Sequence, residues 1–362
     1  MNLIHISVVE IYFMKYGRMS RMEKRRLKKV ALALVATLAM GTIVGCSSGE
    51  KTPAEQANAD APAAQPLKIG VIQLLEHGAL DNANKGFVDG LAAKGFVDGE
   101  NITIIQQNAQ NDQSNLQTIS QQFVNDKVDL ICAIATPAAQ SVASATSDIP
   151  IVATAVTDFA DAKLVASNEK PETNVTGTTD MNPIGDQIDL LLQIAPDAKK
   201  IGVMYSSSED NSVLQVKIMK EYALSKGLEV IEGTVSSVND IQQVAQNVID
   251  KGAQAMYVPT DNVMASSVPT LLQITDPAKI PVICGEASVV EAGCLATIGI
   301  DYYKLGLQTG EMAARILNGE AEPASMAIES LKDMTITLNE TGAKNIGITF
   351  PAELTEKATI IK

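Results

Sequence analysis

The sequence contains no tryptophan, and only seven tyrosines and six phenylalanines in 362 residues. A site that sandwiches a flat ligand between two rings therefore has little material to draw on. Histidine is scarcer still: there are two, His5 and His77. No Cys/His pair stands at metal-ligand spacing, so neither a metal site nor a cofactor is expected. Basic charge is also short, with 28 Lys/Arg against 42 Asp/Glu and a net charge of −14. Residues 1–45 hold eight of those bases and two of the acids, which leaves −20 on the remainder. So acidic a body, with no basic run, argues against nucleic acid or direct binding to an anionic lipid surface. Signatures of catalysis are missing too. There is no Gly-x-x-x-x-Gly-Lys loop, no Gly-x-Gly-x-x-Gly after the first strand, and no Gly-x-Ser-x-Gly elbow at a strand-to-helix turn. No catalytic residues are expected, and the chain is not read as an enzyme.

What is present begins at the N-terminus. Lys24, Arg25, Arg26, Lys28 and Lys29 precede an uncharged stretch from Val30 to Val44 that ends in Ile43-Val44-Gly45-Cys46. A basic region, a short apolar run and small residues at its end form a secretory signal pattern. The run is shorter than the roughly 20 apolar residues of a spanning helix. The residues before Cys46 resemble a lipobox, which implies cleavage there, a lipid on the Cys46 sulfur and a mature chain anchored outside the cell membrane. Diacylation holds a protein at a bilayer where one chain gives only marginal binding. Met19 and Met22 are alternative starts. Residues 46–66 then comprise the lipidated cysteine and an Ala/Pro/Gln/Ser tract too poor in large apolar groups to order itself, a flexible tether.

The rest repeats itself. Lys68-Ile69-Gly70-Val71-Ile72-Gln73 and Lys200-Ile201-Gly202-Val203-Met204-Tyr205 each open a unit in which 26 positions separate the isoleucine from a Lys-Gly pair, Gly95 in one and Gly227 in the other. Each opening run reads as a buried parallel strand. Lys85–Lys94 and Val213–Lys226 read as helices closed by a glycine C-cap. Second strands are expected at Ile102–Ile105 and Glu229–Ile231, and second helices at Asn115–Asn125 and Asp240–Lys251. Third strands are expected at Leu130–Ala135 and Ala255–Val258, and fourth strands at Ile149–Ala153 and Ile280–Cys284. Strand–helix alternation means parallel sheets with right-handed crossovers. The fold class is α/β: two similar lobes, each a doubly wound parallel sheet flanked by helices, joined by a multi-strand hinge. Lobe 1 is placed at 67–178 plus about 301–334, and lobe 2 at 179–300 plus about 335–362, with hinges near 177–180, 298–301 and 334–339. Cys132 is read as an inert core thiol. Cys284 and Cys294 are read as separately buried thiols, with a disulfide as the alternative.

In open parallel sheets, ligands sit beyond the carboxyl ends of the strands, near free helix N-termini. The loops at those ends are polar. The first carries Glu76, His77 and Leu80; without a third group, Glu76 and His77 suit binding better than acid–base work. The third holds Thr136, Pro137 and Ala138, where Thr before Pro reads as an N-cap followed by N1. Thr154, Thr157 and Asp158 follow the fourth strand. In the second unit the matching loops supply Tyr205, Glu209, Asn211 and Ser212, then Thr260, Asp261 and Asn262, then Glu286. Asp301 and Tyr302 open the late helix. Carboxylates facing a helix N-terminus suit a zwitterion.

With these residues in view, the chain resembles the ABC transporter substrate-binding proteins of the tryptophan/tyrosine-binding kind. The likeness lies in IGVIQLLEHGALD, ATPAAQ, IPIVATAVTD, NVTGTTD, IGVMYSSSEDNS, MYVPTDN and GIDYYKLG. It implies a type I periplasmic binding fold that closes on an amino acid, and a permease and an ATPase as partners. An aromatic side chain would lie between Leu80 and Tyr205. A sugar or nucleoside is the alternative solute, and an α/β enzyme a more distant one. Two positions depart from the family pattern: Gly78 and Phe159 stand where proline is usual.

Overall fold

Leu67–Gln73 forms β1, the first strand of a computed structural model that describes residues 65–362. The signal segment, Cys46 and nearly all of the tether lie outside the described residues. Five consecutive buried positions in β1 mark a central strand covered on both faces. The chain continues through α1 (Gly78–Ala93), β2 (Ile102–Asn108), α2 (Gln113–Asn125), β3 (Leu130–Ile134), α3 (Thr136–Ala145), β4 (Ile151–Val156) and β5 (Val175–Thr179). Asp112 fixes the start of α2 by accepting from the amides of Ser114 and Asn115 at 2.7 and 2.9 Å.

The second unit runs through α4 (Ile184–Ile194), β6 (Lys200–Ser206), α5 (Asp210–Ser225), β7 (Glu229–Val235), α6 (Ile241–Asp250), β8 (Ala255–Val258), α7 (Asn262–Ala265), α8 (Val268–Thr275), β9 (Val282–Cys284), α9 (Ala287–Glu291) and β10 (Ala296–Gly299). The chain then returns to the first sheet as α10 (Tyr302–Leu317) and β11 (Glu329–Ser330). It crosses again to the second sheet as β12 (Thr335–Asn339), α11 (Glu340–Ile346), α12 (Ala352–Thr355) and β13 (Thr359–Ile361).

Two sheets result, ordered β11-β5-β4-β3-β1-β2 and β13-β12-β10-β9-β8-β6-β7. Both place the opening strand of the repeat between its third and second strands, so the repeat in sequence is a repeat in topology. Pairing is parallel throughout except between β10 and β12, which run antiparallel. That exception follows from the late crossing, since β12 enters its sheet from the other end. The chain passes between sheets at residues 180–183, 300–301 and 331–334.

The Lys-Gly stops behave alike in both units: Gly95 and Gly227 have φ of +86° and +75°, which a side chain would disfavour. Helices α1 and α10 meet by an unusually close approach. A Cβ added at Gly86 would stand 2.1 Å from the Tyr303 carbonyl oxygen, and one at Gly306 would stand 2.1 Å from that of Ala83. Gly90 and Gly310 repeat the arrangement one turn on, at 2.4 Å from Leu307 O and Phe87 O. Two Gly-x-x-x-Gly pairs thus let the helix backbones touch.

The core of lobe 2 divides between the two faces of its sheet. Ile201, Val203 and Tyr257 pack beneath α4 and α5, while Met204, Met256 and Val258 pack beneath α6 and α8. Each fully buried aliphatic contributes about 1.5–3 kcal/mol. Cys284 and Cys294 are both free thiols buried in the second of these clusters. That is the unbonded reading rather than the disulfide, and contact with Cys294 adds to burial in raising the Cys284 thiol. Among the described residues, no helix is long and apolar enough to cross a membrane, and no group of three or more His, Cys, Asp or Glu is placed to hold a metal ion.

Candidate functional site

The strand ends of both sheets converge on one cavity. His77, Ala79 and Leu80 reach it from the start of α1, Ala155 from the end of β4, Asp180 from the first crossing and Tyr302 from the first turn of α10. From lobe 2 come Asn211 in the first turn of α5, Thr260 and Asp261 after β8, Asn262 in α7, and Glu286 after β9. These residues bound about 270 Å³ of space, counting its open mouth. The walls stand close together.

A hydrogen-bonded chain joins the lobes across this cavity. Asn262 donates from Nδ2 to Glu209 Oε2 at 2.5 Å, and its Oδ1 lies 3.1 Å from His77 Nε2. With the Asn262 amide nitrogen committed to Glu209, its oxygen must accept, so His77 carries its proton on Nε2. The Nδ1 lone pair is left facing Glu286, 3.8 Å from Oε1. That approach is not an ion pair. Burial lowers the His77 pKa, and burial, with Asp180 adding to it, pushes the Glu286 carboxyl up to about 8. Burial and then the charge of Asp261 raise Glu209 as well. Asp261 caps α7 through the Met264 amide at 2.8 Å and accepts from the Ser206 amide at 2.6 Å. The Tyr302 hydroxyl donates to Asp180 Oδ2 at 2.6 Å.

Several polar atoms here are buried without a protein partner. They are His77 Nδ1, Asp180 Oδ1, Glu286 Oε2, Asn211 Oδ1 and Thr260 Oγ1, all on lining residues. Buried polar atoms are nearly always paired, and each exception calls for a reason. Five around one cavity describe a surface made for a polar occupant. On the lobe 1 side, the first intrahelical bond of α1 is Asp81 N to His77 O at 3.0 Å. The amides of Gly78, Ala79 and Leu80 are therefore unused by the helix and sit at its positive end. Two backbone strains also lie at strand ends of lobe 1: Ala135 at φ +84° and Ala155 at φ +55°. Non-glycine residues hold such angles at a cost of about 1–3 kcal/mol each, often beside ligands.

Of the residues expected from sequence, His77, Leu80, Asn211, Asp261, Asn262 and Glu286 line the cavity. The others lie elsewhere. Glu76 is exposed. Thr136 is not the cap of α3: Ala135 holds that position, Thr136 is the first helical residue, and its hydroxyl is buried without a partner. Pro137 and Ala138 continue α3, which meets lobe 2 further along through Gln140 Nε2 and Asp210 Oδ2 at 2.9 Å. Thr154 points behind the sheet to Thr178 Oγ1 at 3.0 Å, and Thr178 in turn meets Thr309 on α10. Thr157 accepts from Gln215 of lobe 2 at 3.4 Å, and Asp158 caps the turn at Ala160 and Asp161. Ser212 is fully buried in the first turn of α5. Asp301 is exposed and caps α10 through the Lys304 amide at 3.1 Å. Tyr205 faces away from the cavity, its hydroxyl donating to Glu232 at 3.0 Å, so it forms no wall for a ring. Thr154 is one position out of phase with Ala155, which lines the cavity, and Tyr205 lies on the sheet face that carries Glu232. Asp180, read as hinge, is the main residue the sequence did not single out.

The departures from the family pattern are placed as well. Phe159 is fully buried in lobe 1, away from the cavity. Gly78 stands against lobe 2, where a Cβ would come within 2.7 Å of Ser288 Cβ.

Comparison with known proteins agrees with this architecture. A family profile described as ABC transporter substrate binding protein matches residues 68–362. A tyrosine-binding protein of Clostridioides difficile strain R20291 is 42% identical over 313 residues, covering 86% of this chain and 90% of that protein. An L-Trp complex from Streptococcus pneumoniae, titled an ABC domain, superposes with a TM-score of 0.79 at 39% identity, covering 82% of this chain and all of the other. The ligand-free, open structure of a Clostridium difficile substrate binding protein with adhesive properties is more identical, at 47%. It superposes less well, with a TM-score of 0.64 over 82% of this chain and 99% of that one. Identity and superposition thus rank the two in opposite order.

Proposed function

The chain belongs to the ABC transporter substrate-binding proteins, and from that premise we propose that it is an extracytoplasmic receptor for an aromatic amino acid. Five buried, unpartnered polar atoms around an inter-lobe cavity carry this reading. They ask for a ligand with several hydrogen-bonding groups, and the mixture of acidic side chains with the N-terminus of α1 suits an ammonium at one end and a carboxylate at the other. Ala79, Leu80, Ala155 and the Tyr302 ring supply the apolar surface for a side chain. The relatives that bind tyrosine and L-Trp support the aromatic class.

Cys46 anchors the chain to the membrane by lipid, and the tether lets the lobes reach a permease with its ATPase. The mechanism is non-catalytic. The ligand bridges both lobes, and its greater affinity for the closed form shifts the population toward closure, which the permease reads. Mass spectrometry of the small molecule that co-purifies with the chain, followed by a thermal-shift panel of amino acids, sugars and nucleosides, tests the ligand. Stabilisation by tyrosine or tryptophan is expected. A shift with a sugar or nucleoside and none with any amino acid would overturn the reading. Retention of a Cys46→Ser variant in the membrane fraction would overturn the anchor.

A further inference from the structure

Asp180 and Glu286 are only 4% and 2% exposed, and both line the cavity. Each has one carboxylate oxygen that meets no protein partner, Oδ1 on Asp180 and Oε2 on Glu286. They come from different parts of the fold. Asp180 stands on the first crossing between the sheets, and Glu286 on the loop after β9 of lobe 2. The groups around them are mostly neutral or acidic: His77 from α1, Tyr302 from α10, Asp261 after β8, Glu291 from α9, and Glu209 behind Asn262. No lysine or arginine lines the cavity. Ionised Asp180 adds to the cost of ionising buried Glu286, so the pair resists a second charge unless a cation stands between them.

We propose that Asp180 and Glu286 together form the ammonium receptor of this cavity, and that binding of the solute releases a proton from the pair to solvent. This rests on the reading of the cavity as an amino-acid site. The ammonium N–H groups donate to Asp180 Oδ1 and Glu286 Oε2, and the carboxyl proton held in the empty, closed cavity leaves as the cation arrives. Charge balances: one cation enters, one proton departs. The direction of the acid shifts agrees, since burial raises both carboxyls and the charge of Asp180 adds to the cost of ionising Glu286. The Tyr302 hydroxyl holds Asp180 Oδ2, which fixes the carboxylate and aims its free oxygen into the cavity. The ammonium is then the group that selects the solute, and the carboxylate at α1 is secondary. Deleting the amine costs more than deleting the acid.

Titration calorimetry with L-tyrosine at about pH 6, 7 and 8, in two buffers of different ionisation enthalpy, reads the released proton directly. Release of one proton makes affinity rise by up to about tenfold per pH unit below the acid's pKa. Tyramine, which lacks the carboxylate, is expected to keep measurable binding. The desamino analogue 3-(4-hydroxyphenyl)propanoate is expected to lose about a hundredfold or more. Asp180→Asn and Glu286→Gln keep size and hydrogen-bonding capacity; each should weaken L-tyrosine at least about tenfold and flatten the pH dependence. Circular dichroism melts confirm that the variants fold. Tyrosine affinity that is independent of pH and buffer, or unchanged in both variants, overturns the ammonium receptor while leaving the amino-acid reading intact. Failure of both L-tyrosine and L-tryptophan to bind at any pH, with a sugar or nucleoside binding instead, overturns both.

Discussion

Lobe 1 and lobe 2 start from one plan and reach the cavity with opposite chemistry. Each opens with a buried strand, a loop, a helix and a Lys-Gly stop, and each sets that strand between its third and second neighbours. Yet lobe 1 presents Ala79, Leu80 and Ala155 with His77, Tyr302 and unused helix amides, whereas lobe 2 presents the wholly polar set Asn211, Thr260, Asp261, Asn262 and Glu286. Lobe 1 is organised by backbone: glycine-paired helices, strained alanines, and the start of α1. Lobe 2 is organised by side chains that brace one another, Glu209 on Asn262 and Asp261 on Ser206. A duplicated architecture therefore tolerates divergence of its binding loops, because the strands and helices that carry them draw their stability from packing on both faces of each sheet, away from the loops.

Perturbations of the two lobes should differ in kind. The largest effect is expected from Gly306→Val, which drives a side chain against the Ala83 carbonyl at the α1–α10 crossing. A loss of about 3 kcal/mol or more in urea unfolding should follow, and unchanged stability would mean that the backbones are not in contact. Asp261→Ala, on the polar side, removes a cap, a backbone acceptor and part of the cavity wall. Solute affinity should fall by about 1–3 kcal/mol with a smaller loss of stability. Equal losses in both would erase the distinction between scaffold and site.

Acid should stabilise the ligand-free fold. The Glu286 carboxyl ordinarily titrates near 4.5 and is raised to about 8 in this fold. The folded state then holds a proton that the unfolded chain has released, so its stability is full below about pH 4.5 and declines as pH rises toward 8. A ligand-free melting temperature that drops across that interval, and flattens in Glu286→Gln, is the expected result. A melting temperature that climbs over the same interval would show that Glu286 is ionised when buried.

The smallest effect tests where the lobes touch. Gly78→Ala puts a Cβ against Ser288 and should hold the lobes slightly apart, weakening solute binding by about 1 kcal/mol with little change in global stability. Small-angle scattering with and without ligand would read the incomplete closure. Normal closure would place the contact outside the bound form.

Much of the fold was legible because its signals are local. The strands β1 and β6 and the two Lys-Gly stops follow from apolar runs and from glycines that need positive φ. Helix starts were less visible: α1 begins at Gly78 rather than near Lys85, and its cap position, His77, makes no side-chain capping bond that would have marked it. Strand β10 and helix α4 are short apolar stretches whose type only their neighbours decide. The site was legible by loop but not by residue. Six expected residues line the cavity, while Thr154 lies one step out of phase on its strand, Tyr205 lies on the face that carries Glu232, and Asp158 and Asp301 spend their carboxylates on capping backbone amides. Asp180 was legible only as hinge and as the end of the NVTGTTD stretch, not as a site residue. Its importance comes from the crossing of the chain at that point and from a tyrosine 122 positions later.

The pairing of α1 with α10 has a consequence in time. The glycines of one helix lie at positions 86 and 90, and those of the other at 306 and 310. As the chain is synthesised, the N-terminal sheet waits for its covering helix and for the edge strand β11 until more than 300 residues have been added. All of the second sheet's first five strands are made in the interval. The half of the molecule that begins first must therefore be finished after most of the other, and a chain stopped before Asp301 would expose Gly86, Gly90 and the flank of α1 to whatever meets it first.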